Sequence, residues 1–388
     1  MRLAITYALL IAGAILFATP LGWLLLTSFK EDRDLGQAEG FSLVPRVSVT
    51  RPYLDPVSPR FEAEYEGHRV VVTPTESQGR PLFEIQEPRS LRGVVFEGGS
   101  AGMKPVPRDA AVVRLRVNPS EVGFIERDLP DGRVRVRFDS GRIDVLAAAD
   151  VEPVRRVGLR WQNYPDALDL VPENTNRGLV FLHNTLSAAL MSVVGTVLSS
   201  ALVAFAFARL RFVGKEAWFG LLLATLMLPP AVTMLPQFLI FSGLGLVDSL
   251  VPLWLPAFFG SAFNIFMLRQ FFRTIPMELD EAARLDGCHP LRVFWSVLLP
   301  QVKPALAVIS IWTFIGAWNN FMGPLIYISS PENMTLAYGM QLFQSERAGE
   351  PTLLCAFATM TIAPVVLVFL LAQRMITEGA VLSGFGSR

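Results

Sequence analysis

The sequence predicts an α-helical polytopic membrane protein of six spans, with a β-rich domain inserted after the first. Three observations predict it. Apolar residues gather into blocks of spanning length, the stretch between the first block and the rest has strand periodicity, and basic residues collect in alternate short loops. The first point rests on length. A hydrocarbon core of roughly 30 Å needs about 20 apolar residues in a helix. The run from Leu3 to Phe29 meets this, as do the blocks at about 180–208, 217–242, 250–272, 304–328 and 351–374. Lipid offers a backbone no hydrogen-bond partners, so each block is expected to be helical despite Pro229, Pro230, Pro236, Pro252, Pro256 and Pro364. The first run exceeds the ~7–15 residues of a signal-peptide core and is read as a retained helix over residues 1–30.

Residues 34–158 have a different character. Pro, Gly, Arg and Glu dominate, no block is long enough to span, and apolar residues alternate with Arg in the runs 69–73, 112–117 and 133–138. A period of two suits strands with one buried face. Asp131-Gly132 and Ser140-Gly141 supply turn chemistry between such runs, so a β-meander or small barrel of about 125 residues is expected. Prolines from Pro45 to Pro59 mark an extended entry segment.

Orientation comes from the loops. Arg209, Arg211 and Lys215 outnumber Glu216 in one, and Arg273, Arg284, Arg292 and Lys303 follow Arg269 in another. Loops 243–249 and 329–350 carry Asp248, Glu332, Glu346 and Glu350 against Arg347. Basic loops stay in the cytoplasm, which places both termini there and the insert outside.

Composition excludes several classes. Charged residues are 18% of the chain and the formal net charge is zero, so nothing points to nucleic acid. Cys288 and Cys355 form no CxxC pair, and His68, His183 and His289 have no ligand spacing, so neither a metal nor a cofactor is expected. No GxxxxGK[ST] loop is present and no nucleophile–base arrangement can be traced, so the chain is not expected to be an enzyme.

The segment 275–300 is the most informative. Pro276 suits a first helical turn, and Glu278, Asp280 and Glu281 lie near its positive dipole end. Gly287 and Pro290 end that helix, and Leu291, Phe294, Trp295 and Leu298 share a face of a second one that stops at Pro300. Two short amphipathic helices joined by a glycine turn would move as a body and could transmit a push from a soluble partner. Ala282 and Ala283 leave room for a partner surface, and Asp280 and Glu281 offer it charge.

Glu281-Ala282-Ala283, Gly287 after three intervening residues, and Val297-Leu298-Leu299-Pro300 after nine more resemble the EAA loop of ABC importer permeases, with Val297 where Ile is usual. Residues 161–388 resemble the maltose-type carbohydrate permease family throughout, at Trp161–Tyr164 with Ala167 and Leu168, at Asn184-Thr185, and over 313–321. The close of the first block, Thr27-Ser28-Phe29-Lys30, is similar too. The resemblance implies a permease subunit in the bacterial cytoplasmic (inner) membrane. Its partners would be a second related permease, two ATPase subunits and an extracytoplasmic solute-binding protein. It also implies ATPase coupling through Glu281, Ala282, Ala283, Gly287, Leu299 and Pro300. The insert 34–158 departs from the family pattern. Carbohydrate is the expected solute. The alternatives are a glycerol phosphate or polyamine, or an envelope interaction protein acting through the insert.

Trp318, Asn319, Asn320 and Gln237 lie within apolar blocks. Intramembrane polar groups line a translocation path or bond helix to helix, and both readings stand for these four.

Overall fold

In the computed structural model, the described residues are 2–35, 44–55, 58–77, 80–87, 91–97, 103–129, 131–345 and 350–384. The chain divides into two compact units. One comprises Met1–Glu173 with Phe343–Thr359, the other Asn174–Leu342 with Met360–Arg388.

The first unit opens on the helix Arg2–Ser28, exposed along most of its length. Thirteen strands follow among the described residues: β1 Arg46–Ser48, β2 Thr50–Tyr53, β3 Arg60–Tyr65, β4 His68–Ser77, β5 Arg80–Glu87, β6 Val95–Glu97, β7 Lys104–Val106, β8 Arg108–Leu115, β9 Val122–Asp128, β10 Arg133–Phe138, β11 Ile143–Ala147, β12 Val151–Pro153 and β13 Arg155–Val157. They form two sheets and a small ladder. One sheet runs β6-β5-β4-β3-β7. The other runs β11-β10-β9-β8-β12, with β2 also on β8, and β1 pairs with β13. Both larger sheets contain meanders, but each closes over its own core, so the region holds two cores instead of one barrel. Val70, Val72, Phe83 and Ile85 fill the first, and Val113, Val134, Val136, Phe138 and Val151 the second. A side chain of this kind contributes about 1.5–3 kcal/mol when fully buried.

The alternation in β10 works as expected: Val134, Val136 and Phe138 are buried, and Arg133, Arg135 and Arg137 are not. Gly132 (φ 74°) and Gly141 (φ 86°) take the left-handed backbone that the two hairpin turns need. Val117 lies beyond the end of β8 and is 93% exposed.

The charged run after the first helix is enclosed. Glu31 accepts from the Ser48 amide at 2.8 Å and its hydroxyl at 2.6 Å. Arg155 donates to Asp34 at 2.8 Å and lies 3.8 Å from Glu31. Asp32 accepts from the amide (3.1 Å) and hydroxyl (2.6 Å) of Thr352. Asn163 donates to the carbonyls of Ser28 (2.9 Å) and Lys30 (2.8 Å), and the Lys30 ammonium sits 4.5 Å from the Trp23 ring centroid. Both ends of the insert are thus bonded at the close of the first helix, where the β1–β13 ladder pairs Ser48 with Arg155.

The second unit is helical. Across the described residues, four stretches are long and apolar enough to cross a membrane: Ile5–Ser28, Leu179–Arg209, Val251–Thr274 and Pro351–Leu370. Two pairs qualify only together, Lys215–Met227 with Pro230–Gly243, bent by 99°, and Pro290–Gln301 with Lys303–Trp318, bent by 81°. The expected continuous helix over 217–242 is therefore interrupted, and that over 304–328 breaks after Trp318. At the first break, Leu228 and Pro229 are extended, as residues before proline are driven to be. The second block ends as a helix at Trp318, and a separate turn, Met322–Tyr327, follows. Asn320 starts that turn by accepting from the Gly323 amide at 3.0 Å. The bend before Lys303 falls at Val302, ahead of Pro304.

Asp248 (φ 60°) organises a loop of this unit. Its carboxylate accepts from the Ser330 hydroxyl and from the amides of Ser330 (2.9 Å) and Ser329 (3.0 Å). These bonds, the Ser330 hydroxyl first, hold the carboxyl at about 2, below its ordinary 3.8. A depressed carboxyl adds stability that is full above its ordinary value and is lost as pH falls through about 2. Wild type is therefore expected to lose thermal stability between pH 4 and pH 2 more steeply than Asp248→Asn. Parallel melting curves of the detergent-solubilised proteins across that window would refute this.

Candidate functional site

Residues 275–300 form two helical pieces joined by a turn, built as their sequence dictates. Glu278–Leu285 is a helix with three acidic residues in its first turn. It ends at Gly287, whose φ of 78° only glycine adopts without cost. The Gly287 amide returns to the Arg284 carbonyl at 2.9 Å, and the Cys288 amide to that of Ala283 at 3.0 Å. His289 caps the next piece, its Nδ1 accepting from the Leu291 amide at 3.3 Å. Pro290–Val293 then leads through a wider turn at Phe294–Leu298 into Leu299–Gln301.

This element is sunk into the second unit by one face. Ala283, Val293, Phe294 and Leu298 are buried in a core with Ala201, Ala204 and Phe205 of the Leu179–Arg209 helix and Leu268 and Phe272 of Ala262–Thr274. Phe294 lies 5.0 Å from Phe205 and 6.3 Å from Phe272, centroid to centroid. Val297 and Leu299 pack on the rim of that core.

A second contact is ionic. Asp280 is buried and pairs with Arg209 at 3.2 Å, each side chain 3% exposed. The same guanidinium donates to the Ile275 carbonyl at 2.7 Å and touches the Met277 sulfur. Arg269 is buried as well, stacking 3.9 Å from the Phe219 ring centroid and reaching Glu216 at 3.2 Å.

The outer face is left open. Glu281, Ala282, Arg284, Asp286 and Gly287 are exposed, and so are the large apolar side chains of Leu279, Leu285 (89%), Leu291 and Trp295.

Placement corrects part of the sequence reading. Of the adjacent carboxylates only Glu281 faces outward, because Asp280 is taken by Arg209. Of the two alanines only Ala282 is open, since Ala283 is core. Leu291 and Trp295 do not share the buried face of Phe294 and Leu298. Pro300 is exposed and Leu299 half-buried. The remaining candidates lie away from this element in sequence. Trp318 is buried and donates to the Thr361 carbonyl at 3.2 Å, which is a helix-to-helix bond. Asn319 is exposed and donates to its own helix at Ile315, Asn320 supports its turn, and Gln237 is exposed. Arg209 and Arg269 were legible only as loop charges. Their one distinguishing signal was position, each at the edge of an apolar block.

Residues 197–378 match the family described as binding-protein-dependent transport system inner membrane component. The sn-glycerol-3-phosphate transport system permease protein UgpE of Yersinia pestis bv. Antiqua (strain Antiqua) is 37% identical over 225 residues, 57% of this chain and 79% of that protein. The arabinooligosaccharides transport system permease protein AraQ of Halalkalibacterium halodurans is 33% identical over 201 residues, 52% of this chain and 72% of its own. A solved bacterial ABC transporter involved in the import of the acidic polysaccharide alginate aligns at a TM-score of 0.48 and 24% identity, covering 59% of this chain and 81% of that one.

Proposed function

Since this chain belongs to the family of binding-protein-dependent transport system inner membrane components, the non-catalytic permease subunits of ABC importers, we propose that it carries a carbohydrate across the bacterial inner membrane and that 275–300 is where partner ATPases drive it. One observation carries the coupling role. A short helix pair exposes Glu281, Ala282 and Leu285 on one side while Phe294 and Leu298 are locked into the membrane helices on the other. Force on the outer face has a rigid path inward, since packed cores shift between discrete arrangements and do not stretch.

The full reading takes residues 1–30 as the first span, 34–158 as an extracytoplasmic domain and 161–388 as the permease domain. The bent pair Lys215–Met227 with Pro230–Gly243 counts as one span and the stretch from Lys303 onward as another, giving six, with both termini cytoplasmic. The assembly comprises a second permease, two ATPase copies and a solute-binding protein that selects the solute. Glu281, Ala282, Gly287, Leu299 and Pro300 serve the docking element, with Ala283 as its inner anchor. Of the path candidates, Asn319 and Gln237 are exposed enough to meet solute, whereas Trp318 holds helices together. The relative named for arabinooligosaccharides supports a carbohydrate. The relative named for glycerol phosphate supports a second reading with that solute, and competition for uptake between the two compounds separates them.

Purification of the tagged chain from its native membrane in mild detergent is expected to recover a related permease and an ATPase bearing a phosphate-binding loop. Recovery of the intact, folded chain with neither would refute the importer reading of 275–300.

A further inference from the structure

The two contacts that seat the 275–300 element differ in kind. The apolar core around Phe294 is close-packed but non-directional, so it holds the element in place without itself specifying which side chains face it. The guanidinium of Arg209 is a planar fork with fixed donor directions. At the entry to the Glu278–Leu285 helix it donates to the Ile275 carbonyl and the Met277 sulfur, and it sits 3.2 Å from the Asp280 carboxylate as an ion pair without hydrogen-bond geometry. Neighbouring helical positions are about 100° apart, so holding Asp280 inward turns Glu281 and Ala282 outward. Arg209 is also the last residue of the long Leu179–Arg209 helix.

We infer that the Arg209–Asp280 pair is a register pin, a pair of positioning residues that fixes the rotation of the docking helix and makes it move with Leu179–Arg209. This rests on the reading of 275–300 as the ATPase-docking element. A buried ion pair is weak as a source of stability and better attested as a device for register.

The test uses the full chain in lipid nanodiscs, with Cys288→Ser and Cys355→Ser, and nitroxide labels at Leu202→Cys and Leu285→Cys, both exposed positions. Electron–electron resonance is expected to report one narrow distance distribution. Asp280→Asn is expected to broaden it or add a second distance, and Asp280→Glu to restore it. With the partner subunits in proteoliposomes, Asp280→Asn is expected to lower solute uptake per ATP hydrolysed roughly tenfold, within the usual range of coupling between sites, and Asp280→Glu to regain most of it. A distribution in Asp280→Asn identical to wild type overturns the pin. Broadening with unchanged uptake per ATP leaves the pin standing and overturns the docking reading. Should Asp280→Asn not fold, Arg209→Lys keeps the charge, loses the fork, and is read in the same two ways.

Discussion

Replacing Gly287 by proline is expected to abolish solute uptake while leaving the chain inserted in the membrane. Gly287 holds φ at 78°, and proline is fixed near −65°, so the turn between the two helical pieces cannot close. The substitution also removes the amide that bonds the Arg284 carbonyl at 2.9 Å. A cost of about 3 kcal/mol or more follows, roughly a hundredfold in the population of the formed turn. No atom lies within 4 Å of where a Cβ would stand, so Gly287→Ala isolates the backbone effect. It is expected to cost about 1–2 kcal/mol and leave partial activity. Adding Glu281→Lys to Gly287→Pro reverses the charge of the exposed face as well. ATPase co-purification and uptake check the series. Association and transport unchanged in the double variant would refute the docking role outright.

The second large effect lies in the other unit. Arg155→Met is expected to destabilise the junction between the first helix and the insert by about 3–5 kcal/mol, the usual cost of removing one partner from a buried ion pair. Arg155 faces Asp34 and Glu31, with side-chain exposures of 8%, 2% and 11%. Without the guanidinium, both carboxylates remain enclosed and lose their shared cation. Arg155→Lys is expected to recover only part of the loss, because an ammonium cannot address two carboxylates with a fork. Thermal unfolding in detergent, followed by protease cutting within the insert, measures both variants. A loss under about 1 kcal/mol for Arg155→Met would mean the cluster is open to water and screened as surface pairs are.

Much of this was legible along the chain. Alternation in 133–138 named the buried valines of β10, because strand faces have a period of two whatever the fold. Asp131-Gly132 and Ser140-Gly141 named the turns, because positive φ favours glycine. The helix pair at 275–300 and its glycine joint followed from caps and breakers close in sequence. Each of these features depends on short-range sterics, which a local reading can follow.

What the tertiary structure alone decided is which side of each element faces inward. Asp280 and Glu281 are adjacent and chemically alike. Arg209, from a distant helix, buries one of them and leaves the other open. The acidic run Glu31, Asp32 and Asp34 draws its partners Ser48, Arg155 and Thr352 from distant positions, which no local reading of the run reveals. Trp318 reads as a polar group in a span and is a helix-to-helix bond through Thr361. Apolar content marked 217–242 and 304–328 as spans, but hydropathy sums residues without regard to backbone direction. Pro229, Pro230 and Asn320 set that direction, and the helices bend or end beside them. Composition and spacing thus determined which elements form. Their pairing was decided by partners far apart in the chain, since burial and charge compensation arise only when those partners meet.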